Sequence, residues 1–390
     1  VRQEEIVRLG WRDLVGDAPL SEVLETLSTL ADAAIEAALR CAHSELVSRF
    51  GQPIGENSGT PVQLTVLGLG KLGGRELNMS SDVDLVFAYR ENGSTNGVRS
   101  ISNHEFFIKL GRALIDILQT PTAEGIVFRV DMRLRPNGDS GPLALSFDAI
   151  DHYFLTHGRE WERYALIKAR PVAGDIASGH ELLANLRPFV YRKYLDFGAF
   201  ESIRSMKTLI DRELAKKSLA GNVKLGRGGI REIEFIVQSH QLIYGGRNAA
   251  LRTSALYDAL TVLEEEGMLD QGDCDMLRGH YDYLRVLEHR LQIMDDAQTH
   301  AIPVEPLART RIALAMGYPE TAAFEAAITS VNDDVHRLFR SVFHHEREPN
   351  TDDHESVFAD LWDETLAPED QLTQLKTLGF KNAQQVQTLL

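Results

Sequence analysis

Helical spacing dominates the amino end of the chain. From Ser21 to Phe50 the apolar residues Leu24, Leu27, Ala31, Ala34, Ala38 and Leu39 recur on one stripe and Gly51 supplies a stop, so a long helix is expected there. Residues 51–61 are turn-rich, after which the pattern changes to short apolar runs at 62–68 and 82–89 that read as strands. Ser102, with Glu105 three residues later, carries the signature of a capping box. It opens a helix that includes Phe106, Leu110, Ala113, Leu114 and Ile117 and ends before Pro121. Over 126–134, Ile126, Phe128, Val130, Met132 and Leu134 alternate with Val127, Arg129, Asp131 and Arg133, which predicts a strand with one apolar and one largely charged face. Residues 142–147 complete the sheet. Beyond 147 strand signals nearly vanish, and helical periodicity runs through 197–217, 228–244, 253–266 and 272–297.

This pattern predicts an α+β chain in four parts: a helical segment at 1–61, a sheet-bearing core at 62–150, a helical domain at 151–345, and an acidic connector with a terminal helix at 346–390. The connector follows from ten acidic side chains against one arginine between 346 and 371, broken by Pro349 and Pro368. With 390 residues and 43% hydrophobic composition the chain can bury substantial cores. A formal net charge of −16 repels nucleic-acid phosphates, so no nucleic-acid partner is expected. The two cysteines, Cys41 and Cys274, lie in helical sequence without metal spacing, which points to a reducing, cytoplasmic setting. No apolar run is long enough to span a bilayer, and charges are spread through residues 1–20, so neither a membrane nor an export signal is expected. The chain opens at Val1 directly into a helical pattern and is expected to be a piece of a longer polypeptide.

Candidate chemistry begins at Gly68-Leu69-Gly70-Lys71-Leu72-Gly73, a G-x-G-x-x-G directly after a predicted strand. Only eight residues, Gly74 to Ser81, separate it from the next strand, too few for the crossover helix of a dinucleotide fold. A P-loop fails as well, because Gly74 stands where the phosphate-binding lysine is required. A short strand-turn-strand remains, in which Gly73 and Gly74 let backbone amides approach phosphate oxygens and Ser80 or Ser81 donates a hydroxyl. Asp82 and Asp84 follow, two residues apart and therefore on one face of the strand, with Val83, Leu85 and Phe87 on the other. They are either a solvated strand start or a pincer for a hard cation such as Mg²⁺; the glycines and serines upstream favour the pincer. Asp131, on the charged face of a nearby strand, supplies a third carboxylate for a two-metal site. Arg129 and Arg133 share that face and either stabilise phosphate or pair with carboxylates.

Two helical segments add weaker candidates. Arg231 and Glu234 share a helix face with Glu232 projecting elsewhere, a spacing that suits an ordinary intrahelical pair before a cleft. In 158–170, Trp161, Tyr164, Ala165 and Lys168 fall at helical spacing, so the aromatics are expected in a core, with Lys168 or Arg170 able to face phosphate. The pair His344-His345 lacks ligand partners at useful spacing, and no zinc site is expected.

Leu72-Gly73-Gly74, then seven residues, then Asp82-Val83-Asp84, with Asp131 on a later strand, resembles the polymerase-beta-like nucleotidyltransferase superfamily. More closely, segments 68–89, 128–147, 158–170 (GREWERYALIKAR) and 224–238 (KLGRGGIREIEFIVQ) look like the bacterial glutamine synthetase adenylyltransferase/adenylyl-removing family. That family has two nucleotidyltransferase halves, and Asn78-Met79-Ser80-Ser81 before Asp82 resembles the adenylyl-removing, amino-terminal half. The resemblance implies a nucleotidyltransferase sheet with flanking helices plus a helical bundle. It implies phosphorolysis: phosphate attacks AMP carried on a tyrosine of adenylylated glutamine synthetase, giving ADP and free tyrosine, in the control of nitrogen assimilation. Asp82, Asp84 and Asp131 would hold two Mg²⁺ ions, or Mn²⁺, while Gly73, Gly74, Ser81 and Arg133 would contact phosphate. The implied partners are glutamine synthetase and the PII signal protein, with phosphate, ADP and ATP as small ligands. Two rival readings are the ATP-dependent adenylylating half and a regulatory module that binds glutamine synthetase or PII; the three carboxylates argue against the latter.

Overall fold

Backbone pairing around two antiparallel strands sets the architecture. The structure, a computed structural model, describes residues 2–123, 125–193, 221–293 and 298–344. Strands β2 (Leu64–Leu69) and β3 (Val83–Tyr89) pair antiparallel, with Leu69 opposite Asp84, and are joined by a single helical turn, α3 (Gly70–Gly73), and a loop. This is the strand-turn-strand expected from the glycine spacing. With β5 (Val130–Asp131), β6 (Ala144–Ser146) and β7 (Arg170–Gly174) they form a five-stranded sheet in the order β5-β3-β2-β7, β6 also pairing with β3. Strands β1 (Pro53–Gly55) and β4 (Gly93–Thr95) make a separate antiparallel pair.

Both sheet faces are covered, which explains why β2 is buried at every position rather than alternating. Val83, Leu85, Phe87 and Tyr89 face a layer that includes α2 (Leu20–Phe50) and α4 (Asn103–Gln119). The long stripe of α2 and the apolar face of α4 therefore meet the sheet as their periodicity predicts. Ser102 caps α4 by accepting the Glu105 N–H at 3.2 Å, while the Glu105 carboxylate pairs with Lys109 at 3.4 Å. Val86 and Ala88 face α5 (Phe147–Thr156) and α7 (Ile176–Val190). Helices α1 (Arg2–Leu14) and α6 (Glu160–Ile167) complete this half.

The helical periodicities at 228–244, 253–266 and 272–297 appear as α8 (Ile230–Tyr244), α9 (Leu256–Glu265) and α10 (Gln271–Ile293), followed by α11 (Pro306–Ala315) and α12 (Thr321–His344). Helix α10 has an apolar stripe of Cys274, Leu277, Tyr281, Leu284 and Leu287, and its last turns bury Arg285, Glu288, His289 and Arg290. Those charges tie the helix to the sheet half. Arg290 reaches the Asp13 backbone carbonyl at 2.7 Å and also its carboxylate, and Arg285 donates to the Glu76 carbonyl at 2.6 Å. The described residues through Arg340 form one compact unit.

Two strand expectations need correction. The strand expected over 126–134 is only Val130–Asp131, because Val127 and Phe128 donate to the Leu118 carbonyl and Arg133 N–H turns back to the Asp131 carboxylate at 2.8 Å. A tight turn through Asn137, at φ 61°, then redirects the chain. Conversely, β7 was not expected after residue 147; its Pro171 sits at the sheet edge, where a missing N–H is tolerated. The helix expected at 197–217, the stretch 294–297 and the connector 346–390 lie outside the described residues.

Candidate active site

A cavity of about 360 Å³ opens where β3 and β5 begin, between the sheet and helices α6, α8 and α10. Asp82, Asp84 and Asp131 form its acidic wall. Parallel pairing sets Asp84 directly opposite Asp131 in register, and the pleat puts Asp82 on the same side as Asp84 while Val83 and Leu85 are fully buried behind. Lys71 and Lys168 stand among the other lining residues, with Lys224, Glu234, Gln238, Gln292, Gln298 and His300.

The three carboxylates have different surroundings. Arg129 Nε donates to Asp82 Oδ1 at 2.7 Å, and Gln298 Nε2 donates to its other oxygen at 3.1 Å. Arg133 forks onto Asp131 through Nε, at 2.9 and 3.1 Å, and holds that carboxyl below the usual carboxylate range against the opposing effect of burial. Asp84 has no hydrogen-bond donor among the described residues. Burial first, and then the neighbouring Asp131 charge, push its carboxyl up to about 7, with Lys224 opposing the shift.

The opposite wall is built from ion pairs that cross long stretches of sequence. Lys71 Nζ donates to Glu288 at 2.7 Å, and Lys168 Nζ donates to Glu76 at 2.7 Å and to Glu234 at 2.6 Å. Burial pulls the Lys71 ammonium down to about 7 despite its partner. Burial would lift the Glu288 carboxyl, yet Lys71, His300 and Arg285 hold it well below its ordinary value. The same opposition applies at Lys168, where burial disfavours the ammonium but Glu234 and Glu76 raise it above its ordinary value.

Several expected residues fall elsewhere. Gly73 and Gly74 do not line the cavity: a Cβ on Gly73 would lie 1.7 Å from the Lys168 carbonyl oxygen, and Gly74 packs against Glu76 and the Ser254 carbonyl. The close approach those glycines permit is backbone to backbone. Gly70 faces the site instead, with φ +54° and space for a Cβ blocked by Asp84 Oδ2 at 2.4 Å. Ser81 lines the cavity, its hydroxyl accepting the Asn78 N–H at 3.2 Å, whereas Ser80 is buried. Arg133 lines the cavity as well, paired with Asp131. Glu234 enters the site through Lys168, in place of the expected intrahelical pairing, and Glu232 meets His336 at 3.1 Å. Trp161 is 40% exposed rather than core, and Tyr164 stacks on Phe235 at 5.4 Å along the cavity edge. Arg170 pairs with Asp32 outside the cavity.

In donor type the acidic wall fits hard divalent cations: three carboxylates, one of them half-buried and without a donor among the described residues. Two of the three are engaged by arginines, and among the described residues no group of three His, Cys, Asp or Glu side chains converges on a metal position. No helix among the described residues is long and apolar enough to cross a membrane.

An antiparallel β2–β3 pair with acidic residues at the start of β3, a third on β5 and a helical bundle behind define a nucleotidyltransferase-like fold. The family model for glutamate-ammonia ligase adenylyltransferase matches residues 1–185, and that for GlnD PII-uridylyltransferase matches residues 204–343. The chain is 49% identical over 393 residues to the bifunctional glutamine synthetase adenylyltransferase/adenylyl-removing enzyme of Nitrosococcus oceani, covering 100% of this chain and 41% of that protein. The enzyme of the same name from Pseudomonas aeruginosa is 46% identical over 392 residues, 98% of this chain and 40% of its own length. A third, from Thioalkalivibrio sulfidiphilus, is 49% identical over 343 residues, 88% of this chain and 35% of its own. The chain belongs to this adenylyltransferase/adenylyl-removing family, as the sequence motifs indicated, and spans about two fifths of the length of these relatives.

Proposed function

We propose that the chain is the adenylyl-removing half of such an enzyme and catalyses phosphorolysis of adenylylated glutamine synthetase, yielding ADP and the free tyrosine. The observation that carries this reading is the register pairing of Asp84 with Asp131 beside Asp82, in one cavity faced by lysines. The Asn-Met-Ser-Ser run before Asp82 and the match of 204–343 to a PII-uridylyltransferase support the removing half over the adenylylating one.

Asp82, Asp84 and Asp131 would hold two Mg²⁺, or Mn²⁺, which when bound would supply charge neutralisation at the transferring phosphoryl group. Arg129 and Arg133 pair with Asp82 and Asp131 in this structure and would have to release them for those carboxylates to hold the ions. Tyr164 and Leu134 give the cavity an apolar edge suited to the adenosine, and the lysine wall suits phosphate. Ser81 and the backbone at Gly70 would approach the phosphate end, and Arg133, if freed from Asp131, would be available to phosphate oxygens. Glutamine synthetase is the substrate partner, PII a regulatory one, and the cytoplasm the setting.

The discriminating experiment supplies the purified chain with adenylylated glutamine synthetase, Mg²⁺ and phosphate, and in parallel with unmodified glutamine synthetase and ATP. ADP release from the first mixture alone supports the removing half. Pyrophosphate from the second assigns the adenylylating reaction, and silence in both leaves a binding module as the better reading.

A further inference from the structure

Among the described residues, four cationic side chains other than histidine reach the cavity, and three are paired within the protein as it stands: Lys71 with Glu288, Lys168 with Glu76 and Glu234, Arg133 with Asp131. Lys224 is the fourth. Its ammonium has no hydrogen bond or ion pair among the described residues, although the side chain is half-buried and lines the same cavity as Asp84.

Its backbone is held firmly. Asn222 Oδ1 accepts the Lys224 and Leu225 N–H groups at 3.1 and 2.8 Å, and the Lys224 carbonyl accepts the Arg231 N–H at 3.0 Å in the first turn of α8. Val223 is pinned from the other side by its N–H to the His300 carbonyl at 2.8 Å. A lysine carried on a fixed turn, lining a cavity and feeling the Asp84 and Glu234 charges without a direct ion pair to either among the described residues, is an arrangement for an anionic ligand, since an ammonium taken partly out of water without a direct partner is costly.

We infer that Lys224 anchors the phosphate that is not part of AMP, the attacking phosphate of the removing reaction and hence the β-phosphoryl group of the ADP formed. The inference rests on the phosphorolytic reading above. In that reaction an oxygen of hydrogen phosphate bonds to the adenylyl phosphorus, and the bond from that phosphorus to the tyrosyl oxygen breaks. The proton of hydrogen phosphate ends on the tyrosyl oxygen. Free phosphate approaches with about two negative charges and has no covalent tether, so the acidic wall repels it. AMP arrives attached to a protein and needs no such anchor. Lys224 thus contributes to phosphate and ADP and little to AMP.

The test compares ADP and AMP binding by calorimetry at fixed Mg²⁺ for the wild-type chain, Lys224→Ala and Lys224→Arg, together with KM for phosphate. One charge-assisted contact corresponds to a preference on the order of 10- to 100-fold. Wild type should bind ADP more tightly than AMP by that factor, Lys224→Ala should lose the preference while keeping AMP affinity, and Lys224→Arg should retain part of it. KM for phosphate should rise in proportion in Lys224→Ala, with KM for the adenylylated protein unchanged. An unchanged ADP preference in Lys224→Ala overturns the inference, as does an equal loss of both nucleotides, which marks a purely structural lysine. If the wild-type chain binds neither nucleotide, the phosphorolytic reading falls, and this inference with it.

Discussion

Asp84 and Asp131 stand opposite one another on parallel strands, and only Asp131 has an arginine. The pair is thereby split: Arg133 holds the Asp131 carboxyl below the usual carboxylate range, while desolvation and that neighbouring charge push the half-buried Asp84 up to about 7. Two neighbouring carboxylates with separated proton affinities are the pattern expected of a chemical centre, and the proposed function places it here.

Stability should report this directly. A carboxyl whose folded-state pKa is raised binds its proton better in the folded than in the unfolded chain, so its contribution is complete below about pH 4 and is lost as pH rises through about 7. In EDTA, Asp84→Asn should therefore melt above wild type at pH 8, with the gap closing below about pH 5. Melting curves across that range check it; an asparagine variant less stable than wild type at pH 8 contradicts the assignment. Adding Mg²⁺ at pH 8 should raise the wild-type Tm and leave Asp84→Asn nearly unmoved.

The Lys168 ion pairs predict a cost of a different kind. Removing the ammonium by Lys168→Met leaves the buried Glu76 and the half-buried Glu234 without their shared cation, which should destabilise the fold by about 3–5 kcal/mol in chemical denaturation. Lys168→Met combined with Glu234→Gln should recover part of the loss, because one of the stranded charges is gone.

Gly70 and Gly73 should separate activity from stability. Gly73→Ala sets a methyl group against the Lys168 carbonyl oxygen, a backbone atom, and should cost about 3 kcal/mol, the upper end of ordinary overpacking. Gly70→Ala is strained at φ +54° and presses on the Asp84 carboxylate, so its loss of turnover should exceed its loss of stability. Unfolding and rate measurements on both variants decide; equal effects on both properties would contradict the separate placements.

What the sequence made legible was local. The α2 stripe ending at Gly51, the Ser102 cap and the two apolar runs that pair as β2 and β3 each carry their signal within a few residues, and Asp82 and Asp84 could be placed on one face because strand periodicity alone fixes it. Asp131 was legible only as a neighbour; its register opposite Asp84 depends on a two-residue ladder whose flanks are drawn into turns. β7 escaped because Arg170-Pro171 follows a helix directly and proline argues against strand. The lysine wall was least accessible. Lys71 and Glu288 are 217 residues apart, and nothing in the spacing of either announces the other. Lys71 itself lies inside the glycine turn and Lys224 opens KLGRGGIREIEFIVQ, so both sat within segments already singled out, without a local signal for direction.

The central claim, phosphorolysis at the Asp82–Asp84–Asp131 wall, is tested most directly by following isotopically labelled phosphate with adenylylated glutamine synthetase and Mg²⁺. The account predicts label in the β-phosphoryl group of ADP, and none when the chain carries Asp82→Asn and Asp84→Asn in a folded state. Release of unlabelled AMP in place of ADP, or labelled ADP formed undiminished by the double variant, would contradict it.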